Sequence, residues 1–119
     1  AYQMNKSYSN ARSAANSAAS LKPEWGEPYL MIGDIYVSSA SSCGSTNLER
    51  GSVYWAAVDA FRKAKSIDDV LAEKANKRIS TYSKYFPSKE DLFFEDLSSG
   101  DSYKVGCWIG QSTRVRTRD

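Results

Sequence analysis

Two stretches of the chain share one spacing. ARSAANSAASLKP, from Ala11 to Pro23, and AVDAFRKAKSIDD, from Ala57 to Asp69, each begin with an alanine and set a core residue four positions on (Ala15; Phe61). An alanine follows three residues later (Ala18; Ala64), and a helix stop comes five further on (Pro23; Asp69). Steps of three and four put such residues on one stripe of an α-helix. After each stretch a second helical pattern follows at the same offset: Tyr29, Ile32, Gly33 and Tyr36 after the first, and Ala75, Arg78, Ile79 and Tyr82 after the second. A helical unit that recurs in register cannot bury its apolar stripe alone and must stack on its neighbour. The expected class is therefore mainly α, built from antiparallel helix pairs.

The boundaries follow from local chemistry. A first helix, with Tyr8, Ala11, Ala15 and Ala18 on one face, is expected to stop at Lys22, because the residue before Pro23 avoids the helical basin. The second starts near Gly26 and tolerates Pro28 in its first turn, where the missing N–H has no partner to lose. Gly33 sits inside that helix at a cost of about 1 kcal/mol relative to alanine, which implies a neighbouring helix too close for a Cβ. The serine-rich segment 38–52 reads as a loop inserted into the repeat, with room for a short helical turn after Asn47, and helical periodicity resumes at Val53, Ala57, Phe61 and Ala64 and ends near Ile67. Asp68 and Asp69 then suit the start of a helix that runs through Leu71, Ala75, Ile79, Tyr82 and Phe86 to Pro87. Ser88 and Asp91 have the spacing of a capping box for a short helix through Leu92, Phe93 and Phe94. Beyond Gly100 the period falls to two: Tyr103, Val105, Cys107 and Ile109, then Thr113, Val115 and Thr117. Two short strands turning near Gly110 and Gln111 are expected, lying on the helices through Trp108 or the aliphatic row because a lone hairpin is marginal in water.

Composition excludes several functions. A chain of 119 residues accommodates one domain with a modest core. A net charge of +2, from 16 basic and 14 acidic residues, gives no strong field for nucleic acid, and Arg114, Arg116 and Arg118 alternate like the solvent face of a strand. No window approaches the roughly 20 apolar residues of a membrane span. There is no histidine, the commonest general base and metal ligand, and two cysteines alone do not make a zinc site. No cofactor is expected. Glu90, Asp91, Glu95 and Asp96 read as a charged helix end rather than a catalytic cluster, since no nucleophile comes with a base.

Tyr29, Ile32–Gly33, Tyr36, Ala57, Phe61 and Ala64 together resemble the tetratricopeptide repeat (TPR), a two-helix unit marked by an aromatic, a leucine–glycine pair, a tyrosine and spaced alanines. Ala57 follows Ala11 by 46 residues, 12 more than the usual period of about 34, and the excess falls in 38–52. The last copy departs from the pattern, with Ala75 in the aromatic position and Ile79 in the glycine position. The resemblance implies a right-handed solenoid over residues 1–87, its first repeat incomplete, and a capping helix and β-element over 88–119. It also implies further repeats before Ala1. The closing segment is similar to the ends of certain exported bacterial TPR proteins, which points to a periplasmic or envelope location.

Cys43 in the loop and Cys107 on the expected strand form either a disulfide or two unrelated thiols, with Cys107 buried and Cys43 exposed. The bridge is favoured because an exposed loop thiol is a liability, and it requires an oxidising compartment. Members of the TPR family are binding scaffolds, so a protein or peptide partner is implied. Carried over by register, the groove positions are Glu27, Leu30, Asp34, Val37 and Ser38, then Glu73, Asn76, Ser80, Ser83 and Lys84: a polar, mostly acidic surface suited to a basic or extended peptide. The alternative is glycan binding, with Trp25, Tyr29, Trp55 or Trp108 as stacking faces.

Overall fold

A computed structural model describes the backbone of residues 2–118 and the side chains of 7–118; Ala1 and Asp119, where the expected domains begin and end, lie outside the described residues. The chain is mainly helical. Its elements are α1 (Tyr2–Leu21), α2 (Glu27–Ser39), α3 (Asn47–Ile67), α4 (Ala72–Ser83), α5 (Lys89–Phe94), β1 (Ser102–Lys104) and β2 (Ser112–Arg114). From α1 to α4, consecutive helices pack as antiparallel neighbours. The start of α2 at Gly26 lies against Ala64 and Asp68 at the end of α3, and the Tyr8 hydroxyl near the start of α1 donates to the Ser38 carbonyl at the end of α2.

The segments before and after Ser45 extend the helices rather than interrupt them. α2 continues to Ser39 and passes into a 3₁₀ turn, Ala40–Ser42, while α3 begins at Asn47, six residues before Val53. The irregular connection shrinks to 43–46. What starts α3 is a capping box: Thr46 accepts the Glu49 N–H at 3.0 Å, and the Glu49 carboxylate accepts the Thr46 N–H at 3.2 Å. Buried Ser39 and Ser52 turn their hydroxyls onto the carbonyls of Tyr36 and Glu49 in their own helices, which is how polar residues sit in this interior without loss.

Three further expectations are corrected. The buried stripe of α1 is Ala15 and Ala19 with half-buried Tyr8 and Arg12, while Ala11 is exposed, so the face is rotated by one residue. Asp68 does not cap α4; its carboxylate accepts the Gly26 N–H at 3.3 Å and so caps α2 from across the fold, while a 3₁₀ turn, Asp69–Leu71, leads into α4. Gly33 does meet α3, but through a side chain rather than a backbone. A Cβ there would sit 2.8 Å from Phe61 Cζ, so the glycine makes room for an aromatic ring.

Phe61, Ala57 and Ala64 are fully buried beside Ile32, Tyr36, Ala15 and Ala75 in one core cluster. The C-terminal segment belongs to the same interior. Val105 and Ile109 join that cluster, while Leu92 and Val115 join a second one with Trp55, Val58 and Phe86. Capping by Ser88 and Asp91 starts α5 as expected. β1 and β2 pair antiparallel with Tyr103 opposite Thr113, and a wide turn, 105–111, joins them. Cys107 lies in that turn with φ +63°, not on a strand.

Candidate functional site

The two cysteines are joined, Cys43 to Cys107, with Cα atoms 5.4 Å apart. Cys43 is the buried partner and Cys107 the exposed one, the reverse of the two-thiol alternative. The bond ties the wide turn to the α2–α3 connection. The same turn is gripped from α1: Arg12 donates to the carbonyl of Ile109 at 2.7 Å, to that of Trp108 at 3.3 Å and to the Tyr36 hydroxyl at 3.1 Å. Its guanidinium also lies 4.8 Å from the centre of the Trp108 ring, which stacks on Tyr8 at 5.7 Å. The repeat spacing does not single out Arg12; its position four residues after Tyr8, on the same face, is the one signal in the sequence that it turns inward.

The arginine tail is also drawn in. Arg116 pairs with Asp59 at 2.9 Å and donates to the Trp55 carbonyl and to Thr113, while Asp59 accepts from the Thr113 hydroxyl. Trp55 returns a bond from Nε1 to the Arg116 carbonyl at 2.8 Å. Arg114 on the strand and Arg118 beyond it stay exposed as expected, although Arg118 donates to the Phe86 carbonyl. These contacts send the cap to α1, α3 and the α2–α3 connection.

The opposite side of α2 faces α4. Glu27 pairs with Lys74 at 3.7 Å, and Asp34 makes a two-pronged pair with Arg78 at 2.9 and 3.2 Å, so the two helices run side by side in the same direction. This is the flank on which groove residues were expected, and they do not all reach it. Leu30 is 2% exposed and belongs to the core, as an apolar residue between helices must. Val37 packs on that core, and Asn76 turns to α3 to accept from Lys65 Nζ at 2.7 Å. Glu73, Ser80, Lys84 and Ser38 remain exposed, and Ser83 is half-buried. Met31, at 53% exposure, supplies an apolar spot the spacing did not single out. The surface is not acidic as expected, because Lys74, Lys77, Arg78 and Lys84 offset Glu27, Asp34 and Glu73.

A cleft of about 270 Å³ lies on the other side of α2, between α1 and α3. Ile32 and Ala56 form its floor, Tyr29 and Tyr36 line it, and Arg12, Asn16, Asp59, Lys63, Gln111 and Ser112 stand around it. Of the four aromatic residues considered as stacking faces, Trp55 is fully buried and Trp108 is held between Tyr8 and Arg12. Trp25 is 38% exposed with Lys22 over its ring, and Tyr29 alone lines the cleft, with Lys63 Nζ 4.7 Å from its ring centre.

Among titrating groups, backbone N–H donors hold Glu49 and Asp91 below the usual carboxylate range: Ser45 and then Thr46 for Glu49, and Ser88 for Asp91. Burial pushes the Tyr54 phenol up, with Tyr85 and Tyr82 adding to it. Among the described residues no helix is long and apolar enough to cross a membrane. No protein-family model, curated protein or solved structure matches the chain.

Proposed function

We propose that the protein is a non-catalytic scaffold of stacked helix pairs, TPR-like in its repeat, that binds an extended peptide or protein segment along the flank formed by α2 and α4. The observation that carries this reading is the pair of ionic cross-links, Glu27–Lys74 and Asp34–Arg78, which fix two helices side by side while leaving Met31, Ser38, Ser80 and Lys84 exposed between and beside them. A prealigned surface of that kind loses little entropy when a segment lies on it. The offsetting charges favour a partner of mixed polarity over the strongly basic peptide that the sequence suggests. The disulfide supports an oxidising location, and on that ground we place the protein outside the reducing cytosol, in an exported or envelope setting.

The test is selection from a displayed library of random dodecapeptides, followed by amide exchange mapping of the bound complex. Slowed exchange confined to α2 and α4, with binding lost in Met31→Glu, Lys84→Glu, supports the reading. Selected peptides that protect α1 and the 105–111 turn, or that bind the double variant equally well, overturn it.

A further inference from the structure

We propose that the cleft between α1 and α3 is a separate binding site for a small hydroxylated carboxylate, a sugar acid of one ring. The argument starts from charge. Asp59 is compensated, since Arg116 and Thr113 take its carboxylate. Lys63, one helical turn further along α3, makes no ion pair among the described residues; its ammonium stands over the Tyr29 ring. Arg12 bonds to two carbonyls and a hydroxyl, so its orientation is fixed, while its charge meets no carboxylate among the described residues. The cleft therefore carries an excess of positive charge from two different helices.

The rest of the lining selects the body of the ligand. Asn16, Gln111 and Ser112 each donate and accept hydrogen bonds, which is what hydroxyl groups require of their neighbours. Ile32 and Ala56 give an apolar floor suited to the C–H face of a ring. A volume of about 270 Å³ falls just below the roughly 300 Å³ at which sites for drug-sized ligands begin, which limits the ligand to one ring and its substituents. The site uses Tyr29, Ile32 and Tyr36, on the side of α2 away from Glu27 and Asp34, so it stands or falls independently of the α2–α4 flank.

The experiment titrates the oxidised protein by calorimetry and by amide NMR with galacturonate, galactose, trigalacturonate and the tripeptide Ala-Ala-Glu. Galacturonate is expected to shift the side-chain amides of Asn16 and Gln111, and galactose to bind about tenfold more weakly for want of its charged contact. Lys63→Gln, at an exposed position that leaves the fold intact, is expected to remove that tenfold preference. Trigalacturonate binding at least as tightly assigns the site to the end of an acidic polysaccharide; weaker binding assigns it to the free acid, and both support the proposal. Absence of shifts with galacturonate at millimolar concentration overturns it, as does a preference untouched by Lys63→Gln or tighter binding of the tripeptide.

Discussion

At the scale of single residues, Gly33 and the two capping carboxylates carry the clearest consequences. A methyl group at Gly33 has to displace the Phe61 ring, which is itself fully buried. Overpacking of that kind costs about 1–3 kcal/mol, against roughly 1 kcal/mol that alanine gains in a helix, so Gly33→Ala is expected to lower stability by up to about 2 kcal/mol in urea unfolding. The loss should shrink when Phe61→Leu is added, because the smaller side chain vacates the space; a stabilised single variant contradicts the contact. Glu49 and Asp91 have depressed carboxyl pKa values in the folded state, so the unfolded chain binds protons more readily. Their contribution is complete above the unfolded values, near pH 4, and is lost as pH falls through the folded ones. Acid unfolding of Glu49→Gln, Asp91→Asn should therefore show a shallower dependence on pH below about 4 than the parent chain. Both boxes carry the same sequence signature. Serine-rich surroundings obscure the one at Thr46, since serines favour loops in the average but here bond back to their own helices.

At the scale of elements, the helices are more legible than the segment that closes them. Periodicity locates α1 to α4 because each repeats its small or aromatic residues over several turns, the capping box at Ser88 locates α5, and the helix stop at Pro23 needs only local sterics. The cap is held by long-range contacts that no local pattern announces: Arg12 to Ile109, Arg116 to Asp59, and Cys43 to Cys107. Alternation beyond Gly100 predicts strands and a solvent row of arginines, but β2 ends at Arg114, and past it the chain bends so that Arg116 turns to α3. The disulfide spans 64 positions, and on the chain-entropy model its removal costs about 4 kcal/mol. Cys43→Ser, Cys107→Ser is expected to lower the urea midpoint accordingly and to speed amide exchange in 102–114 more than in α2 and α3, because the turn then rests on Arg12 and on its own packed side chains, Val105, Trp108 and Ile109, without a covalent tether. Equal loss of protection throughout the chain contradicts a locally tethered cap.

At the scale of the whole molecule, the asymmetry of α2 organises everything else. One side, with Tyr29, Ile32 and Tyr36, packs towards α1 and α3 and the cap; the other, with Glu27 and Asp34, is tied to α4. The spacing of the repeat predicts that Glu27 and Asp34 fall on the second side, but not that Leu30 and Val37 turn to the core, nor that the charges on that side neutralise one another, because that depends on the offset between two helices separated by the whole of α3. Asp34 and Arg78 are only partly exposed, with side chains at 44% and 30%, and their two-pronged geometry is the favourable one for such a pair. A coupling of about 0.5–1 kcal/mol is expected from a double-mutant cycle with Asp34→Ala and Arg78→Ala. Exchanging the partners, Asp34→Arg with Arg78→Asp, should restore most of the stability lost in either single reversal while inverting the local field. If the flank receives a partner segment, peptides selected on the parent chain bind the exchanged variant more weakly although its urea midpoint is nearly unchanged. Undiminished binding to a stable exchanged variant counts against α2 and α4 as the receiving surface, since Asp34–Arg78 is one of the two ion pairs that set the polarity of that flank.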